Sequence, residues 1–175
     1  MFDSIPRMPS WSDFAAAAPR LAIEIHNIIH QYGQGFAYLA TVRPDGGPRV
    51  HPVAPVIAEG GLFCFLIASP KRNDLERDGR YALHSYPGDH NDDEAYLTGH
   101  AHPVTDPRRR ERVARAARAD TRGDWRLFEL DIDVATITRH VGVRRTPTHQ
   151  IWHATGQSPG GGRTRGRTEA IAVCA

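Results

Sequence analysis

The chain has 175 residues, of which 40% are hydrophobic and 24% charged. This length favours one domain, and the composition offers enough apolar surface for a core and excludes a disordered chain. The 22 basic residues nearly balance the 20 acidic ones, so net charge gives no support to nucleic-acid binding. The basic residues are 21 arginines and one lysine, Lys71, whose presence against that background requires its own explanation.

Neither the cysteines nor the N-terminus indicates export. Cys64 lies in an apolar run and Cys174 is penultimate, so a disulfide is not expected and a reducing compartment fits better. No basic region followed by an apolar stretch opens the sequence. The longest apolar stretch, residues 62–68, is far shorter than the roughly 18 residues that span a bilayer. We therefore expect a cytoplasmic protein without a membrane partner.

The first predicted element is a helix over about residues 10–32. Apolar residues recur at helical spacing on one face, at Leu21, Ile25, Ile28 and Ile29. Pro19 is expected to break or restart the helix, because proline is tolerated only in a first turn. Gly33 suits the left-handed position that ends helices.

The pattern then changes to the alternation that is typical of strands. Residues 36–43 and 49–58 flank an Asp-Gly pair, which predicts a hairpin. After a turn at 59–61, residues 62–68 predict a third strand. We expect these three strands to form an antiparallel meander.

Two helices and three strands are predicted in the second half. Ser69-Pro70 is expected to cap and begin a short helix that ends near Asp78, and Asp106-Pro107 one that ends near Asp120. Strands are predicted over residues 80–86, 94–105 (with a bulge at Gly99) and 128–134. In the last strand, Phe128, Leu130, Ile132 and Val134 are expected on one face and the acidic residues between them on the other.

Six short antiparallel strands with outer helices predict a mainly β protein with peripheral α, a small barrel. The first three strands are joined by turns too short for crossover helices, which excludes a parallel sheet. The domain is expected to span residues 1–155. The Gly/Arg-rich tail, residues 156–175, is expected to be disordered.

Residues 69–75 give the clearest indication of a ligand. A serine at a helix start, two cations in the first turn and free backbone N–H groups make a phosphate cradle, from Ser69, Lys71 and Arg72. Cations at a helix N-terminus are disfavoured by the helix dipole, so Lys71 and Arg72 favour a bound anion there. The alternative is that both side chains point into solvent.

The strand after the first hairpin is a second candidate. Arg49 and His51 share one face, and Val50 and Pro52 share the other. Pro52 and Pro55 cannot donate ladder hydrogen bonds, so the strand is irregular or lies at an edge. The polar face is either simply solvated or part of a site in which unpaired backbone meets a planar heterocycle.

Other patterns point away from several functions. Ten histidines occur without a metal-ligand spacing such as HExxH or CxxC, so no metal is expected. The arginines after Pro107 surround more than one helix face without aromatic residues among them, which favours a solvated helix over a nucleic-acid site. No GxSxG, Walker or GxGxxG motif supports covalent hydrolysis or nucleotide hydrolysis.

Four segments, in this order, resemble the pyridoxamine 5'-phosphate oxidase-like family of flavin-binding split barrels. They are residues 36–53, 69–75, 78–84 and 96–101, and the resemblance covers about residues 30 to 135. It implies a homodimer of six-stranded split barrels with two flavin mononucleotides (FMN) at the interface. It further implies that Arg49, Ser69 and Lys71 hold the phosphate with help from Arg72, and that Val50, His51 and Pro52 lie along the isoalloxazine or ribityl chain.

The function that this resemblance implies is that of an FMN-dependent oxidoreductase with a small-molecule substrate. No catalytic residue is assigned, and His51 is a candidate acid or base only by its implied position. Pro70 stands where the oxidases carry arginine, and residues 149–153 stand in place of their C-terminal Arg/Trp-rich signature, so oxidation of the vitamin is not expected. Related branches bind a deazaflavin or haem. A deazaflavin-dependent reductase and a non-catalytic flavin- or haem-binding protein are therefore the alternatives.

Overall fold

The computed structural model describes residues 8–89, 92–141 and 146–154, which form eight strands and four helices. In chain order the elements are α1 (Trp11–Ala17), α2 (Pro19–Ile29), β1 (Ala37–Val42), β2 (Pro48–Val53), β3 (Val56–Ala58), β4 (Gly61–Ile67), α3 (Pro70–Arg77), β5 (Arg80–Ser85), β6 (Glu94–Pro103), α4 (Pro107–Ala117), β7 (Trp125–Val141) and β8 (Thr146–His153). None of these four helices is long and apolar enough to cross a membrane. The predicted tail, residues 156–175, lies outside the described residues.

The predicted N-terminal helix is two helices, because Pro19 restarts it as expected. Ser10 caps α1 with a capping box, in which its side chain accepts from the backbone N–H of Asp13 and the Asp13 carboxylate accepts from the backbone N–H of Ser10. Pro19 is the first residue of α2, where its missing N–H removes no hydrogen bond. Gly33 follows at φ +89°, in the left-handed region.

The strands form one curled antiparallel sheet, so the mainly β prediction is confirmed but the predicted strand order is wrong. The sheet order is β2-β1-β5-β6-β7-β4-β3, with β8 paired to β7. The first strands make no meander, because β1 lies between β2 and β5 while β4 pairs with β3 and β7. The predicted second strand ends at Val53, and the chain passes through Ala54 and Pro55 to the far edge of the sheet. This break and the additional β8 raise six predicted strands to eight.

A β-bulge between β6 and β7 shifts the faces of β7. Thr98 pairs with Val134 and Gly99 with Ile132, so Asp133 is the extra residue. Phe128, Leu130 and Ile132 are fully buried as predicted, but beyond the bulge the buried residues are Ala135 and Ile137. The prediction that Val134 shares their face is therefore wrong. The irregularity predicted at Gly99 is confirmed, with the inserted residue on the neighbouring strand.

The sheet has apolar clusters on both faces. The main core joins α1 and α2 to the inner face, with members such as Phe14, Ile25, Leu39, Leu66, Leu97 and Phe128. A smaller cluster lies between α4 and the outer face of β4 and β7, and consists of Phe63, Val104, Val113 and Leu127. Beside it, Arg109 on α4 binds the buried Glu129 carboxylate through two hydrogen bonds of 2.6 Å. These contacts fix α4 over the outer face.

Candidate functional site

The side chains of β2 alternate between the two sides of the sheet, as the sequence predicted. Arg49 and His51 lie opposite Thr41 and Leu39 on the inner side of the sheet, where Val53 enters the core. Val50 and Pro52 are on the outer side, and Val50 is 60% exposed. β2 forms one edge of the sheet, and Arg49 on its inner side contacts Asp74 of α3.

The start of α3 carries the predicted anion-binding residues. Ser69 occupies the N-cap position, but its side chain does not cap the helix, because its hydroxyl donates to the Ile67 carbonyl over 2.9 Å. Lys71, in the first turn, is half-buried and makes no ion pair with any residue that the structure describes. The lone lysine of the chain is therefore an uncompensated positive charge at a helix N-terminus, where an anion is favoured.

Arg72 has a different environment from Lys71. Its guanidinium is largely buried and donates to the carbonyl and the carboxylate of Asp124, over 3.1 and 2.9 Å. Glu76, one turn later on α3, lies 3.7 Å from its Nε. Arg72 thus ties α3 to the segment before β7, and its charge is already compensated.

Asp74 joins the helix to the two strands below it. One carboxylate oxygen, Oδ2, accepts from Thr41 Oγ1 over 3.0 Å and from Arg49 Nε over 2.8 Å. The other accepts from Arg77 Nη1 over 3.4 Å. Burial alone would raise the pKa of the Asp74 carboxyl. The hydrogen bonds donated by Arg49, Thr41 and Arg77 lower it by more than burial raises it, so the pKa lies below its ordinary value. Asp74 is therefore a buried carboxylate that stays charged.

His51 lies within the electrostatic reach of both cations. Burial, and then the positive charges of Lys71 and Arg49, lower the pKa of His51, while the charge of Asp74 partly opposes them. The imidazole is therefore neutral at physiological pH and offers one donor and one acceptor. Its Nε2 is buried and has no hydrogen-bond partner among the described residues. An unsatisfied buried nitrogen beside two cations favours a polar ligand at this position.

A groove of about 570 Å³ leads away from Lys71. One wall is formed by residues 52–56, and the facing wall by residues 117–120 at the end of α4. Phe65, Ile67 and Trp125 line it, and Ile67 and Trp125, which are cross-strand partners, are 50% and 37% exposed. The volume falls in the range of about 300–1,000 Å³ that small-molecule sites occupy, and such sites combine apolar walls with a few polar groups.

A second cleft shares part of this lining. It has a volume of about 370 Å³ and lies between α4 and residues 121–127. Phe65 and Trp125 line both cavities, so the cleft adjoins the groove. Arg110 in its wall makes no ion pair within the described part of the chain, whereas Glu111 is paired with Arg115 over 3.0 Å.

The histidines on β6 are paired with carboxylates of β7. His102 Nε2 lies 3.1 Å from Asp131 Oδ2, and His100 Nδ1 lies 3.5 Å from Asp133 Oδ2. The hydrogen bond from the His102 imidazole to the Asp131 carboxylate is the largest cause of the raised pKa of His102. Among the described residues, no group of three or more His, Cys, Asp or Glu could hold a metal ion.

The structure therefore brings together only part of the predicted set. Lys71 and Arg49 lie within electrostatic reach of His51, and Pro52 lines the same groove as Lys71. Val50 faces outward and Arg72 is engaged by Asp124. Two features of the site were missed in the sequence analysis. One is Asp74, although it lies within residues 69–75, and the other is the aromatic lining by Phe65 and Trp125. The alternation of residues 62–67 places Phe65 and Ile67 on the outer face, which was the available signal for that lining.

Known proteins match this chain in structure but not in sequence. No protein-family model and no curated protein sequence matches it. A pyridoxamine 5'-phosphate oxidase-related, FMN-binding protein from Nostoc punctiforme PCC 73102 matches with a TM-score of 0.60 and 14% identity, covering 91% of this chain and 96% of its own. The fold is that of the split barrels related to pyridoxamine 5'-phosphate oxidase.

Other structures that match this chain belong to proteins with different ligands. PhzG from Burkholderia lata 383, in complex with tetrahydrophenazine-1-carboxylic acid, matches with a TM-score of 0.57 and 14% identity, covering 89% of this chain and 93% of its own. The haem storage protein HutZ from Vibrio cholerae matches with a TM-score of 0.52 and 17% identity, covering 64% of this chain and 89% of its own. At these identities the likeness concerns the split-barrel fold. The resemblance predicted from the sequence is confirmed at that level.

Proposed function

We propose that this split barrel binds FMN and acts as a flavin-dependent oxidoreductase. The observation that carries the proposal is the unpaired Lys71 at the start of α3, close enough to the inner face of β2 for its charge and that of Arg49 to act together on His51. Lys71 at the mouth of a largely apolar groove, with Arg49 nearby, fits a ligand with a phosphate at one end and a planar ring at the other. FMN has this form.

The residues of the site fit the parts of FMN. Lys71 and the terminal nitrogens of Arg49 would bind the phosphate, and the Ser69 hydroxyl would turn from the Ile67 carbonyl to join them. His51 Nε2 would gain the polar partner that it lacks. Arg72 would support this arrangement by holding α3 to Asp124, and Val50 and Pro52 would border the ring from the outer side of β2.

When bound, the flavin would supply hydride or electron transfer, and the protein would supply binding, orientation and electrostatics. The uncharged His51 is available as a hydrogen-bond donor or acceptor toward the ligand. The cleft under α4, which shares Phe65 and Trp125 with the groove, is where we place the small-molecule substrate.

A titration of the purified full-length protein tests this proposal. We expect yellow protein or, if the cofactor is lost on purification, quenching of FMN fluorescence with one site per chain, and mass spectrometry of the released ligand should identify FMN. The same experiment with haem and with a deazaflavin cofactor separates the alternatives, because haem-binding split barrels are among the structural matches. Colourless protein that leaves FMN fluorescence unchanged would rule out the flavin proposal.

We also propose that two copies of the chain associate through the outer face of the sheet. Three exposed large hydrophobic residues lie there, Val50 at 60%, Tyr96 at 39% and Ile151 at 52%. Tyr96 and Ile151 lie in one row across β6, β7 and β8 through Thr136. Pro52 belongs to this same face through its pairing with Tyr38 and also lines the groove, so a partner seated here would border the cofactor.

Tyr96→Asp is expected to convert this dimer to a monomer, since a charge would be buried without a partner at the interface. Light scattering coupled to size-exclusion chromatography should show the mass fall from two chains to one. Ile23→Asp is the matched control, because Ile23 is 61% exposed on α2, away from this face. A wild-type protein that is monomeric at micromolar concentration would contradict the dimer.

A further inference from the structure

Asp74 is a buried acid inside a site that is otherwise built for an anion. Its side chain is 3% exposed, and one of its oxygens binds both Thr41 Oγ1 and Arg49 Nε. A carboxylate close to a phosphate is unfavourable by charge alone. If the site binds a phosphate, another effect of Asp74 on phosphate binding must therefore outweigh this repulsion.

The contact with Arg49 uses only one of the five N–H donors of the guanidinium. Asp74 accepts from Nε over 2.8 Å, and no described residue accepts from the two terminal nitrogens, Nη1 and Nη2. Since the guanidinium is planar, a bond at Nε fixes both the plane and the direction of the remaining fork. A fork held in this way can bind a phosphate through two parallel hydrogen bonds without first losing side-chain entropy.

Asp74 is itself held from two sides. Thr41 on β1 donates to Oδ2, and Arg77, one turn later on α3, donates to Oδ1 over 3.4 Å. Arg77 also donates to the Val42 carbonyl at the end of β1. The carboxylate thus has a fixed position relative to the sheet before any ligand arrives.

We infer that Asp74 is a positioning residue for phosphate recognition: it holds Arg49 with its terminal nitrogens free for the ligand, while the unpaired Lys71 supplies the net positive charge. This inference rests on the proposed FMN function. The two cations then have different roles. Arg49 contributes geometry, because its charge is already compensated by Asp74, and Lys71 contributes attraction.

The test compares FMN with riboflavin, which lacks the phosphate, in the full-length protein. Asp74→Asn keeps the size of the side chain and can still accept from Thr41, but it loses the charge that holds Arg49. We expect the Kd for FMN to rise about tenfold and the Kd for riboflavin to stay within about twofold of wild type. In an Arg49→Ala background the Asp74→Asn change is expected to have no further effect on FMN, because the residue that it positions is gone.

Arg80→Gln is the matched control, since it breaks an exposed arginine–aspartate pair with Asp78 just after α3 without touching Asp74 or Arg49, and its Kd for FMN should equal that of wild type. Equal losses for FMN and riboflavin in Asp74→Asn would show a purely structural role and overturn the inference. An unchanged or lower Kd for FMN would overturn it as well, by showing that charge repulsion dominates. If wild type binds no FMN, it is the proposed function that fails.

Arg49→Lys gives a second measurement should Asp74→Asn not fold. It keeps the positive charge but has no Nε and no planar fork for Asp74 to hold. We expect an increase of about tenfold in the Kd for FMN with riboflavin binding unchanged. An FMN affinity equal to wild type would show that charge alone is sufficient, and the positioning role would be wrong.

Discussion

Lys71→Ala is expected to raise the Kd for FMN by between about 10- and 100-fold, and Lys71→Ala with Arg49→Ala is expected to abolish binding. A hydrogen bond to a charged group contributes about 1.5–3 kcal/mol, and about 1.4 kcal/mol corresponds to a factor of ten. Lys71 makes no ion pair with the described residues, so its removal takes away attraction for the phosphate and leaves no carboxylate stranded. Fluorescence titration measures both variants.

Lys71→Arg is the instructive companion, because it keeps the charge and changes the shape of the donor. A compact ammonium at a helix start differs from a planar guanidinium, so we expect a partial loss of affinity. Arg43→Ala serves as the control, since its exposed pair with Asp45 lies in the turn between β1 and β2 and lines neither cavity. If Lys71→Arg binds FMN as tightly as wild type does, the single lysine among 21 arginines has no functional meaning.

Gly99→Ala is expected to destabilise the protein by more than about 4 kcal/mol or to prevent folding. A Cβ at this position would overlap the Asp131 carbonyl oxygen, and it would lie 2.9 Å from the carbonyl carbon and 3.1 Å from the Asp133 backbone nitrogen. All of these are backbone atoms of the β-bulge, so no flexible side chain can move aside. The bulge joins β6 to β7, whose pairing extends over both strands. Chemical denaturation monitored by circular dichroism measures the loss.

Gly123→Ala is the control for this experiment. Gly123 has φ +98°, and no atom beyond Gly123 and its two chain neighbours lies within 4 Å of the position that an alanine Cβ would take. The substitution therefore introduces backbone strain of about 1–2 kcal/mol without a steric overlap. The comparison isolates the overlap with β7. Equal destabilisation by the two substitutions would show that the bulge can absorb a methyl group.

The residues of the candidate site were predictable to different degrees. Lys71 stood out by composition and by its place at a helix start, and Arg49 and His51 by strand alternation, because these are properties of neighbouring residues. Asp74 had no such signal. Its partners Thr41 and Arg49 are 33 and 25 positions away, and only the packing of α3 on β1 and β2 brings them into contact. Arg72 resembled Lys71 in sequence, and only the position of Asp124 separates their environments.

By itself the sequence determined the local elements of this protein: the restart of the helix at Pro19, the hairpin turns and the face of Phe128, Leu130 and Ile132. Each depends on backbone preferences or side-chain spacing within a few residues. The tertiary structure alone decided which strands are neighbours, because the pairing of β4 with β7 joins segments some 60 residues apart. It also decided the bulge at Asp133 and the place of Asp74. Pairing and burial are set by the packing of the whole chain, and that packing places the lone lysine in the proposed anion site.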